Sequence, residues 1–208
     1  MSVINDRRLP AKVVVIAAGA GGPQALAEIL PQVPSNYSGA IIVAQHMRPG
    51  FTRVLANHLN ELCRLPVYEP VHGQVLQSSE ILIVPGGSCL TLSEPGISPC
   101  TLAIEDVQDD LEAVQTRMNR AMASVAAYFG RLTTGIVLTG AGIDARDGIR
   151  AIADSGGITI AQDEASSIIF DMPSAAIDSG SVHYILPPWN IAEHIISSAM
   201  GDANANAA

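Results

Sequence analysis

Short apolar segments alternate with helix-forming segments along most of this 208-residue chain, and this alternation is what most constrains its fold. Buried strands are predicted at 12–18, 40–44, 135–138 and 158–161, and helices at 23–32, 52–62, 144–155 and 173–179. Strand–helix repeats of this kind are typical of a parallel sheet with helices on both faces. We therefore predict an α/β fold, a three-layer doubly wound and mostly parallel sheet.

The middle of the chain has a different pattern. Short apolar runs at 81–84, 90–92 and 100–104 are bounded by glycine and proline, which predicts a short antiparallel addition to the main sheet. A long helix is predicted at 109–129. We expect one domain over residues 12–200, preceded by a flexible leader at 1–11 and followed by a disordered, low-complexity tail at 201–208.

Composition excludes several functional classes. The formal net charge is −9, which argues against nonspecific nucleic-acid binding and against anionic membrane surfaces. No apolar run reaches the ~20 residues that a membrane span needs, so we expect no membrane insertion. Cys63, Cys89 and Cys100 lack the spacing of a metal site, and we interpret them as reduced thiols of a cytoplasmic protein. We expect no metal and no cofactor.

Chemically useful residues follow three of the predicted strands. Gly19, His46 and Asp144 each lie just beyond a strand, and α/β folds bind ligands beyond the carboxyl ends of their strands. The turn at 17–23 has the layout of a nucleophile elbow, G-x-S-x-G, but carries glycine at the serine position. A dinucleotide fingerprint is the alternative interpretation of this turn. It is disfavoured because Gln24 occupies the third glycine position and residues 36–44 contain no acid.

Four sequence blocks carry a family resemblance. The patterns G-A-S-T-G-G-P, Q-H-M-P-x-G-F-T, L-T-G-M-G-x-D-G and A-Q-D-E-A-x-S-x-x-x-G-M-P are matched in order by residues 17–23, 45–52, 138–145 and 161–173. The chain thereby resembles the catalytic domain of CheB-type chemotaxis protein-glutamate methylesterases over about residues 13–195. Because the resemblance begins so near the first residue, we expect the chain to lack the receiver domain that this family usually carries.

The resemblance implies a particular chemistry. The family hydrolyses glutamate methyl esters on chemoreceptors with a Ser-His-Asp triad, whose positions here are Gly19, His46 and Asp144. It also implies partners, namely methylated chemoreceptor-like helices or other protein groups that carry an ester or a carboxylate. The implied substrate and oxyanion region comprises Ala20, Gln45, Met47, Gly140, Ala141 and Met172.

Several positions depart from the family pattern around this one site. The serine is Gly19, the following threonine is Ala20, and the methionine of T-G-M-G is Ala141. A histidine that often follows P-G-G-x is Cys89, and Asp171 stands where glycine is usual. The P-S-V-D that opens the long helix is replaced by residues 116–119, Thr-Arg-Met-Asn.

Three functional hypotheses remain open from the sequence. The leading one is a degenerate esterase that keeps its cleft, has little or no hydrolytic activity, and binds receptor-like helices or carboxylate-bearing peptides. The second is a working methylesterase in which the serine has been exchanged. The third is a small-molecule or nucleotide sensor that reuses the cleft. The sequence also leaves open whether Arg48 and Arg117 face the cleft as clamps for a carboxylate.

Overall fold

A computed structural model describes residues 9–107 and 111–200 and gives the bounds of each element. The strands are β1 (Val13–Ala18), β2 (Ala40–Gln45), β3 (Val67–Tyr68), β4 (Glu80–Ile83), β5 (Ser88–Leu92), β6 (Leu102–Asp106), β7 (Thr133–Val137), β8 (Ile158–Gln162) and β9 (Tyr184–Leu186). The helices are α1 (Gly22–Ile29), α2 (Phe51–Leu62), α3 (Leu111–Phe129), α4 (Arg146–Asp154), α5 (Asp171–Asp178) and α6 (Pro188–Met200). Short 3₁₀ turns follow α1 and α3.

Seven strands form one parallel sheet in the order β3-β4-β2-β1-β7-β8-β9. Alternate residues of the central strand β1 enter two separate apolar cores, since Val15 belongs to one and Ile16 to the other. Helices α3, α4 and α5 contribute to the first core, and α1, α2 and α6 to the second. The predicted three-layer, doubly wound α/β fold is therefore confirmed.

The antiparallel addition is confirmed for the runs at 90–92 and 100–104, which form a two-stranded sheet separate from the main one. The prediction was wrong for the run at 81–84, because it forms β4, a parallel strand between β3 and β2 of the main sheet. β5 pairs with β6, and the pair packs on α3, where the Leu92 N–H donates to Ser124 Oγ at 2.7 Å. Some predicted boundaries differ: the strand at 135–138 begins two residues earlier, at Thr133, and the helix at 144–155 begins later, at Arg146.

The predicted terminal segments fall mostly outside the described residues. This holds for residues 1–8 of the leader, for the tail at 201–208 and for residues 109–110 of the predicted long helix. Residues 9–11 have no regular secondary structure. None of the described helices is both long and apolar enough to cross a membrane.

Candidate active site

Three strand ends meet at one edge of the parallel sheet because β2, β1 and β7 are neighbours. The Gly19 N–H, just after β1, donates to the Thr139 carbonyl at 2.9 Å. The His46 N–H, just after β2, donates to the Ala18 carbonyl at 2.8 Å. The fold therefore brings together the turns that carry positions 19 and 46 and the loop that leads to Asp144.

Gly19 is buried, and its backbone lies directly against the loop after β7. A Cβ added at this position would lie 2.7 Å from Cα of Gly140 and 3.1 Å from Sδ of Met172. Carbon atoms that are not bonded to each other prefer a separation of about 3.5–4.0 Å. The structure therefore has no room for a side chain at Gly19 unless the loop at Gly140 moves.

His46 and Asp144 form the pair that the resemblance implies. His46 Nε2 lies 3.3 Å from Asp144 Oδ2, with the carboxylate buried and the imidazole partly exposed. The carboxylate also accepts three backbone N–H groups, from Met118 at 3.1 Å, Asn119 at 3.1 Å and Ala145 at 2.9 Å. These bonds fix the carboxylate between α3 and the start of α4, and the carboxylate in turn orients the imidazole.

A buried arginine contacts the other nitrogen of the same imidazole. Arg117 Nη2 lies 3.0 Å from His46 Nδ1 and 3.4 Å from the Gln45 carbonyl oxygen, and the side chain is only 7% exposed. Burial lowers the pKa of the Arg117 guanidinium, and the charge of Asp144 acts in the opposite direction. Arg117 is thus buried in contact with His46, whereas Arg48 is exposed.

A cavity of about 510 Å³ opens beside the His46–Asp144 pair. Its wall combines polar and apolar groups from α3, from the loop after β7 and from the start of α4: His46, Thr116, Asn119, Ala141, Gly142, Ile143, Asp144, Arg146 and Asp147. Gly19 and Arg117 are not part of this wall. The cavity is large enough for an extended side chain with polar ends.

Three further residues of the predicted site are buried or partly buried. Gln45 is buried, and its Nε2 donates to the carbonyls of Gly19 at 2.8 Å and His46 at 3.2 Å, so it positions both turns. Met172 is fully buried against Gly19 and Gly140. Met47 is partly buried against the core that contains α1, α2 and α6.

Three residues that mark departures from the family pattern can also be placed. Ala20 and Ala141 are exposed at the turns where the resemblance places them. Cys89 is buried with Sγ 3.8 Å from the Arg117 carbonyl oxygen, and burial raises the pKa of its thiol.

Sequence reasoning missed the contact between Arg117 and His46. The replacement of the serine of the family's P-S-V-D block by Arg117 marked this position as unusual. The sequence block does not show, however, where the arginine side chain points. In the part of the chain that the structure describes, no three His, Cys, Asp or Glu side chains are grouped to hold a metal ion.

Comparisons with known proteins show which family this chain resembles over most of its length. Residues 14–195 match the family described as CheB methylesterase. The chain is 39% identical over 189 residues to a protein-glutamate methylesterase/protein-glutamine glutaminase of Pyrococcus abyssi, which covers 90% of this chain and 51% of the relative. A relative named protein-glutamate methylesterase/protein-glutamine glutaminase 1, from Carboxydothermus hydrogenoformans, is 38% identical over 194 residues, with coverages of 93% and 56%.

A solved structure of a protein from this family also matches the chain. The Thermotoga maritima CheB methylesterase catalytic domain matches with a TM-score of 0.85 and 32% identity, covering 91% of this chain and 99% of that one. The chain thus spans about half the length of the curated relatives and nearly the whole of a solved catalytic domain.

Proposed function

The chain belongs to the CheB methylesterase family, and from this membership we propose that it is a methylesterase-type domain that binds glutamyl side chains of a protein partner without hydrolysing them. The observation that carries the proposal is position 19. The nucleophile hydroxyl that the family motif implies is absent there, and the space it would need is filled by Gly140 and Met172.

The expected loss of activity is large. In serine hydrolases the hydroxyl forms the covalent intermediate, and its removal costs about 10⁶-fold in turnover. What remains is about 10³–10⁴-fold over water, from oxyanion stabilisation and substrate binding alone. His46 and Asp144 have no hydroxyl at position 19 to activate, so the domain would keep recognition and lose catalysis.

The cavity beside His46 supports retained binding. Its wall includes His46, the ion-paired residues Arg146 and Asp147, and the exposed apolar residue Ile143. The relatives' names specify glutamate methyl esters and glutamines of proteins, which share one glutamyl chain. We propose the same class of partner here, a methylated chemoreceptor-like helix or another protein with exposed glutamyl groups.

Hydrolysis is tested on a helical peptide that contains a glutamate methyl ester, with methanol release as the measurement. We expect the chain and its His46→Ala variant to release methanol at the same slow rate. A rate typical of serine esterases that His46→Ala abolishes would contradict the proposal, and would show that another group supplies the nucleophile.

Binding is tested on the same peptide by fluorescence anisotropy. Ile143→Asp places a carboxylate on the exposed rim of the cavity, and we expect it to weaken binding by about tenfold, the equivalent of roughly 1.4 kcal/mol. Ile97→Asp is the matched control, because Ile97 is also an exposed isoleucine and lies outside the cavity wall. Equal affinity for both variants, or no binding by the unsubstituted chain, would contradict retained recognition.

A further inference from the structure

We propose that Arg117 prevents catalysis independently of Gly19. It donates a hydrogen bond to the His46 lone pair that would otherwise accept the proton of a nucleophile. The inference rests on the proposed function only in treating His46 as the family's base. It predicts that the site is inactivated at two positions, and that restoring a hydroxyl at position 19 alone does not restore the chemistry.

Hydrogen-bond chemistry fixes the state of the imidazole. A guanidinium has five N–H donors and no acceptor, so His46 Nδ1, at 3.0 Å from Arg117 Nη2, must be the acceptor. The ring proton then lies on Nε2, which donates to Asp144 Oδ2 at 3.3 Å. Both ring nitrogens are therefore engaged within the protein.

This arrangement differs from a working triad in one respect. In such a triad one ring nitrogen faces the carboxylate and the other accepts the proton of the nucleophile. Here Asp144 takes Nε2, so Nδ1 is the nitrogen left for a nucleophile, and Arg117 occupies it. A second proton on the ring would turn this contact into a repulsion between two cations.

The guanidinium is held firmly where it lies. It is almost fully buried, it donates to the Gln45 carbonyl as well as to His46, and it is attracted by the Asp144 charge. A flexible surface arginine could swing away from the imidazole when a substrate enters. Arg117 would have to break these contacts within the protein, and it is absent from the cavity wall where a carboxylate clamp would have to lie.

The primary test measures whether the His46 lone pair is free to react, and it does not depend on enzymatic activity. Diethyl pyrocarbonate acylates an unprotonated histidine nitrogen, and peptide mass spectrometry assigns the modified residue. Arg117→Met keeps a long side chain but removes every donor. We expect His46 to be acylated about tenfold faster in this variant, as the loss of one charge-assisted hydrogen bond implies.

Two control variants distinguish release of the His46 lone pair from a general destabilisation of the fold as the cause of faster acylation. Arg120→Met removes a half-exposed arginine three residues further along α3, whose Nη2 contacts Glu105, and it should leave the rate at His46 unchanged. Arg117→Lys keeps a buried cation with donors and should restore much of the protection. Equal rates at His46 in the unsubstituted chain and in Arg117→Met would overturn the proposal.

The functional arm uses ester hydrolysis in a Gly19→Ser background. We expect addition of Arg117→Ser to raise kcat by about 10²-fold or more, the usual contribution of a general base, with little change in KM. If the kcat of Gly19→Ser alone already equals that of the variant with both Gly19→Ser and Arg117→Ser, the proposal is overturned. Failure of the proposed function would show separately, as hydrolysis by the unsubstituted chain.

Discussion

At Gly19 the absence of a side chain allows two loops to touch. A Cβ at Gly140 would itself lie 2.9 Å from Cα of Gly19 and 2.3 Å from Sδ of Met172, so the three residues pack as one contact. None of the described left-handed backbone conformations is at position 19, so the obstacle to a side chain is steric rather than conformational. Position 19 carries no hydroxyl, and Gly140 and Met172 fill the space that a side chain there would need.

This packing predicts a stability cost for any side chain at position 19. We expect Gly19→Ala to lower the free energy of unfolding by about 1–3 kcal/mol, the usual range for overpacking a core. Gly19→Ser should cost a similar amount, because the clash arises from Cβ. Urea denaturation measures both variants, with Ala20→Ser at the exposed neighbouring position as the control. An unchanged or raised stability of Gly19→Ala would show that the loop at Gly140 yields without cost.

At the scale of elements, the start of α4 carries a strained residue. Ala145 precedes the helix with φ of 82°, in the left-handed region that favours glycine, and it is fully buried. The family pattern L-T-G-M-G-x-D-G has glycine at this position. The strain lies next to Asp144, whose carboxylate accepts the Ala145 N–H, so the turn that presents the carboxylate is held in place despite its conformational cost.

Ala145→Gly should therefore not destabilise the protein. Relief of the left-handed conformation is worth about 1–2 kcal/mol, which offsets the loss of one buried methyl group at about 0.8 kcal/mol. Ala151→Gly, within α4, is the control and should cost about 1 kcal/mol. Urea denaturation compares the two variants, and equal destabilisation by both would show that the Ala145 turn stores no strain.

At the scale of the whole molecule, the sequence predicted the sheet because its signals are local. Runs such as 13–18 and 40–44 are apolar throughout, as parallel strands buried on both faces must be. The separation of β5 and β6 from the main sheet was not predicted, because it depends on packing against α3 rather than on pattern. A cytoplasmic location and the absence of cofactors stay predictions.

From the sequence we predicted which residues would lie together at the candidate site, and the resemblance implied the contact between His46 and Asp144. Other contacts of the site were not predicted. Gly19, His46 and Asp144 follow strands whose carboxyl ends meet at one edge of the sheet. The sheet topology alone therefore predicts that these three residues lie near one another. The closure over Gly19 and the contact from Arg117 arise from side-chain directions, which no sequence pattern specifies. The wall of the cavity, which includes neither Gly19 nor Arg117, could not be predicted for the same reason.

Thiols and a tyrosine hydroxyl that are buried or partly buried make the stability of the whole molecule depend on pH. Burial raises the pKa of the Cys63 thiol to about 11 and raises the pKa of the Tyr37 hydroxyl further above its ordinary range. Burial also raises the pKa of Cys89 and Cys100. Each group stays protonated in the folded protein at a pH where the unfolded chain has already lost the proton.

The sign of the effect follows from this difference in bound protons. Above about pH 9 the unfolded chain binds fewer protons than the folded protein, so the free energy of unfolding falls as pH rises. The stabilisation from these groups is complete below their ordinary pKa values and is lost through the folded values, for Cys63 between about 9 and 11.

Tyr37→Phe isolates one of these groups. Its buried Oη has no hydrogen-bond partner among the described residues, so its removal should raise stability at pH 7 by about 1–3 kcal/mol, the cost of an unsatisfied buried hydroxyl. The gain should widen by up to about 1.4 kcal/mol per pH unit above pH 10, where the unfolded tyrosine ionises first. Urea denaturation at pH 7, 10 and 11 measures both effects, with Tyr184→Phe, at a half-exposed tyrosine, as the control. A gain that stays constant across this range would contradict the raised pKa of Tyr37, and a loss at pH 7 would contradict its unsatisfied hydroxyl.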